Sequence, residues 1–140
     1  MLTREKILHW EIEFDKELTA QAYRALSAYQ CECVYCRNFR LAFGELSPTL
    51  IEFLQRFGID PSQPAESAHY NPNEDGTHLY GWWYHFVGRI VHGEESSADL
   101  LDQIQVEFRD RQDLAPRNFP RPIVQLEVFA NLPWVLSEDK

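Results

Sequence analysis

LYGWWYHFVGRIVHG, residues 79–93, is the stretch on which the fold turns. It is rich in aromatic and β-branched residues, and read with a period of two it is apolar on both sides. Tyr80, Trp82, Tyr84, Phe86 and Ile90 fall on one face; Leu79, Trp83, His85, Val87 and Val91 fall on the other. A strand covered on both faces has that pattern, so the sequence predicts a central strand. Gly81 and Gly88 mark bulges or places of close packing. The row of rings could form a stacking platform for a sugar, base or peptide, but core packing is the simpler reading.

Further strands lie on either side. In ILHWEIEF, residues 7–14, Leu8, Trp10, Ile12 and Phe14 alternate with His9, Glu11 and Glu13, the signature of a half-buried strand. Residues 104–109 alternate again, with Ile104, Val106 and Phe108 against Gln105, Glu107 and Arg109. PIVQLEVFANLPWVL, residues 122–136, supplies the last strand. Helices are predicted over 17–29, over a short RNFRLAF segment closing at Gly44, and over 47–58. The last has Ser47 as N-cap, Pro48 in the first turn and Gly58 at its end. Residues 59–77 read as a long loop, SSADLLDQ as a polar connector and DLAPRNFPRP as a proline-rich loop.

Helices gather early and strands late. That order predicts a single compact α+β domain over 1–140, an antiparallel sheet of about four strands with two to three helices packed on one face. The three late strands are expected to form a meander, with 79–93 and 104–109 as neighbours. The strand at 7–14 is expected at an edge or beside the centre.

The chain has 140 residues and a formal net charge of −9. Such a charge argues against a phosphate-backbone binder, which needs a positive surface. No apolar run approaches a bilayer-spanning length, and the first residues carry no secretory signal. A cytoplasmic protein that engages neither nucleic acid nor membrane is the expectation.

All three cysteines fall in CECVYC, residues 31–36. Cys33 and Cys36 have the C-x-x-C spacing that lets two thiolates converge on one zinc ion, and Cys31 can add a third. Arg37 and Arg40 follow and would favour the thiolate form. A structural zinc site needs a fourth ligand. His69 and His78, in or beside the long loop, are the best placed, and His78 is assigned to the site with Cys31, Cys33 and Cys36; His9, His85 and His92 stay open.

Other polar features have simpler readings. Glu11, Glu13, Glu107 and Glu127 could pair for acid–base work, although a solvated sheet face predicts the same pattern. Arg117 and Arg121 flank Phe119 in the proline-rich loop and could meet an anion or a partner protein. No nucleophile elbow, phosphate loop, dinucleotide fingerprint or H-E-x-x-H is present.

The resulting expectation is a metal-binding domain with structural zinc and a binding role. The alternatives are an enzyme using an open zinc or a reactive or redox cysteine, and a metal-free acidic module that recognises a basic protein partner.

Overall fold

The computed structural model describes residues 2–26, 33–42, 47–101 and 104–136. Among them are seven strands: β1 (Thr3–Ile7), β2 (Trp10–Phe14), β3 (Glu66–Pro72), β4 (Thr77–His92), β5 (Ala98–Leu101), β6 (Ile104–Arg109) and β7 (Ile123–Pro133). Three helices accompany them: α1 (Lys16–Arg24), α2 (Val34–Ala42) and α3 (Pro48–Arg56). The class is α+β, and every strand pairing is antiparallel.

The sheet has seven strands, not four. Its order is β1-β2-β4-β7-β6-β5, with β3 paired to β4 off this path. β4 is central as its two-faced pattern predicts. β7, however, separates β4 from β6, so these two are not neighbours. β7 pairs along β4 from Thr77↔Pro133 to Val87↔Ile123 and meets β6 on its other side.

Three strands escaped the sequence pattern for identifiable reasons. The single strand expected at 7–14 is the end of β1, a turn and then β2. Leu8, expected to face inward, instead takes φ 56° at the turn and is exposed. No Gly or Asn announces that turn. β3 lies within the expected long loop and is mostly exposed or half-buried, so it lacks the apolar alternation that would reveal it. β5 lies within the expected polar connector and has only four residues.

Cross-strand registers fix the two faces, because directly opposed residues share a face. Tyr80, Trp82, Tyr84 and Phe86 lie on the inner face, each at most 1% exposed. The row is therefore core and not a platform. Val106, Phe108, Leu126 and Val128 join it from β6 and β7. Phe39 of α2 packs on Trp82, with ring centroids 5.1 Å apart, and Phe57 stacks on Phe86 at 4.6 Å.

Helix ends follow local chemistry. Asp15 caps α1 by accepting the Leu18 N–H, and Ser47 caps α3 by accepting the Thr49 N–H. Gly58, just past α3, has φ 87°; a Cβ there would lie 2.2 Å from the Lys16 carbonyl oxygen. Glycine thus meets two demands at once, a left-handed backbone and the close approach of α1.

The edge of β4 is shared by several elements. β3 pairs with its first half and β2 with residues 88–92. Between them the strand would expose unpaired backbone, and α1 fills that gap. The Tyr23 hydroxyl donates to the His85 carbonyl at 3.0 Å and accepts from the His85 N–H at 3.1 Å. Thr19 Oγ1 accepts from the Val87 N–H at 2.9 Å, and the Asp15 N–H donates to the Val87 carbonyl at 2.9 Å. A helix thereby satisfies a sheet edge that would otherwise be buried without partners.

Candidate functional site

The cysteine segment meets the sheet at one corner of the inner face. Cys33 is exposed and precedes α2; Cys36 lies in the first turn and is buried. Cys31 lies outside the described residues, as does Gly44. The Arg37 N–H donates to the Cys33 carbonyl at 2.9 Å, which opens the helix at Cys33. The Cys36 N–H donates to Cys33 Sγ at 3.4 Å.

The β3–β4 hairpin forms the opposite wall. His69 stands across from Tyr80 in the register, and both face α2. Tyr35 stacks on His69, with centroids 4.0 Å apart. The Tyr80 hydroxyl donates to the Tyr35 carbonyl at 2.7 Å. Asn38 Nδ2 donates to Tyr80 Oη at 3.4 Å and to the Pro133 carbonyl at 3.1 Å, while its Oδ1 accepts from the Val135 N–H at 2.7 Å. Burial pushes the Tyr80 phenol up to about 12, offset in part by the Asn38 hydrogen bond, with the nearby Cys36 and Cys33 adding to the rise. The phenol therefore stays protonated and can donate.

The expectation of a metal-binding domain is overturned here. Among the described residues no group of three or more His, Cys, Asp or Glu side chains is placed to hold a metal ion. His78, the assigned fourth ligand, is fully buried. Its Nδ1 lies 2.7 Å from His69 Nε2, a contact in which one ring donates and the other accepts. Its ring packs against Trp134 at 4.5 Å. His78 and His69 thus face each other, ring nitrogen to ring nitrogen.

The four glutamates are divided between two places. Glu13 sits between Arg4 and Arg89, at 3.2 and 2.9 Å. The Arg89 hydrogen bond, then that of Arg4, holds its carboxyl below the usual range. Glu11 meets Arg4 nearby at 3.6 Å. Glu107 and Glu127 instead stand directly opposite each other on β6 and β7, on the outer face of the sheet.

That outer face is not the plain solvated surface the alternation implied. Glu107 and Gln125 are buried. Arg109 holds Glu107 in an ion pair and approaches both Glu127 and Glu95 at 3.4 Å. Gln125 Nε2 donates to Glu127 at 2.7 Å, which turns Gln125 Oε1 toward His85 Nε2 at 3.1 Å. His85 Nε2 must then donate, leaving Nδ1 as an acceptor. Burial holds His85 down to about 4, so the ring is neutral near pH 7. Its Nδ1 and the indole N–H of Trp83 are buried with no hydrogen-bond partner among the described residues.

Two residues along the same strands the face opens into a cavity of about 340 Å3. Leu79, Leu101 and Phe129 give it apolar surface; Asp99, Gln105 and Asn131 give it polar groups. Tyr70 and Phe129 close over Gly81, where a Cβ would meet Tyr70 at 2.8 Å and Phe129 at 3.0 Å. Among the described lining residues there is no Lys or Arg. Sequence reading placed Glu107, Arg109 and Glu127 on polar faces correctly. Their convergence with Gln125 required the strand order.

No protein-family model matches the chain, and searches of curated proteins and of solved structures gave no match. Among the described residues no helix is long and apolar enough to cross a membrane.

Proposed function

We propose that the chain is a binding module for a small organic ammonium compound, held on the outer face of the sheet. One observation carries this reading. The Arg109 guanidinium is shared by three carboxylates, those of Glu95, Glu107 and Glu127, beside a cavity in which Asp99 is the charged group among the described lining residues. The shared cation leaves negative charge uncompensated next to an apolar floor, and an ammonium ligand with a short hydrocarbon body complements both. Glu107 and Glu127 already hold Arg109, which suits them to supplying charge and not to moving protons.

Titrating 15N-labelled protein with phenethylamine, against the uncharged phenylethanol, tests the reading. Amide shifts should concentrate at Gln105, Phe129 and Asn131, and the amine should bind more tightly than the alcohol. Glu127→Gln should weaken the amine about fivefold, as expected for one partly screened charge. Equal binding of amine and alcohol, or shifts confined to other faces, refutes it.

A further inference from the structure

We infer that Cys33 and Cys36 form a thiol–disulfide exchange centre, independent of the ligand face, that reduces small disulfides. Cys33 attacks and Cys36 resolves.

Three features of the corner support this division. First, the pair occupies the opening turn of α2, with Cys33 exposed and Cys36 buried. Of the two, Cys33 is open to an external sulfur, whereas Cys36 is screened from one and suited to resolving a bond formed at Cys33. Second, Cys33 Sγ already accepts the Cys36 N–H at 3.4 Å, an interaction that strengthens when the sulfur is a thiolate. The first turn contains no acidic side chain to oppose that charge. Third, the turn is held from behind. The Tyr80 hydroxyl grips the Tyr35 carbonyl between the two cysteines, and Asn38 ties Tyr80 to the Pro133–Val135 segment. The backbone between the two cysteines is thus held by the sheet as well as by the helix.

The chemistry balances with the disulfide substrate as oxidant. Cys33 Sγ, as thiolate, attacks one sulfur of the substrate. The substrate S–S bond breaks, a mixed disulfide forms and one thiolate leaves, taking up a proton. Cys36 gives up its proton, and its sulfur attacks Cys33 Sγ and expels the second substrate thiol. The protein dithiol is oxidised by two electrons to a Cys33–Cys36 disulfide, and one substrate disulfide becomes two thiols.

Oxidised glutathione serves as the probe, with intact-mass analysis after alkylation as the readout. Cys31→Ser isolates the pair: its two remaining thiols should both be alkylated in reduced protein and both be protected after equilibration with oxidised glutathione. Cys36→Ser should accumulate a mixed disulfide with glutathione at Cys33. Cys33→Ser should react with the probe at least about tenfold more slowly, because the remaining segment thiol of the pair is buried. The last two comparisons are made in the Cys31→Ser background, with circular dichroism confirming the fold. Persistent alkylation of both thiols in oxidised Cys31→Ser protein, or equal reactivity of the Cys33→Ser and Cys36→Ser variants, overturns the inference.

Discussion

Tyr23→Phe removes one oxygen and should weaken the whole sheet. The hydroxyl serves both backbone groups of His85 at once, donating to the carbonyl and accepting from the N–H. Burial raises the phenol well above its usual range, so the proton needed for donation is retained. The ring itself is unaffected by the change and keeps its edge contact with Phe119, 6.1 Å between centroids. What remains after substitution is an N–H and a C=O on the central strand, buried and without partners. At about 1–3 kcal/mol for each of the two orphaned groups, the expected loss is about 2–6 kcal/mol. Urea unfolding followed by tryptophan fluorescence measures it directly, and the slope should not change because the buried area is the same. Amide exchange at His85 supplies a local check: a loss of about 2 kcal/mol accelerates exchange through opening of this edge about thirtyfold. Thr19→Val should act similarly at Val87, whereas Thr19→Ser keeps the accepting oxygen and should cost less. A Tyr23→Phe loss below about 0.5 kcal/mol with the His85 amide still protected would show that α1 does not complete the sheet edge.

Two further outcomes follow from the same structure. Gly58→Ala combines a left-handed φ of 87° with a Cβ placed 2.2 Å from the Lys16 carbonyl oxygen, and should cost about 2 kcal/mol or more by urea midpoint; an unchanged midpoint would mean that α1 and α3 can separate freely. His85 is held down to about 4 from an ordinary 6.5 by burial, so the folded ring stays neutral while the unfolded one takes up a proton. Stability should therefore be intact above about pH 6.5 and fall by up to about 3 kcal/mol as pH drops toward 4, and His85→Gln should flatten that slope between pH 4.5 and 7 in urea titrations.

The sequence exposed the inner half of the molecule well. The alternating rings of residues 80–86 and the Ser47–Pro48 and Gly58 signals each depend on neighbours in the chain, and each has its expected place in the fold. β3 and β5 were hidden because their pairing rests on backbone groups and leaves little apolar pattern. The β1–β2 turn was hidden because Leu8 continues the alternation while its backbone breaks the strand. At the cysteine corner, the spacing suggested a metal site, and among the described residues no group of side chains is placed to hold one. It could not show that His78 would face His69.

By itself, the sequence determined the class of the fold, its central strand and the inner-face row of that strand, because hydrophobic periodicity is a local property read along one chain. Tertiary structure alone decided that β7 would come between β4 and β6, since register and strand order depend on pairings between distant segments. That insertion sets Glu127 opposite Glu107, gives Gln125 its place beside His85 and directs Arg109 to three carboxylates. Charges that would be separate and solvated on isolated strands become one partly buried network, because neighbouring antiparallel strands bring opposed side chains to within about 5 Å.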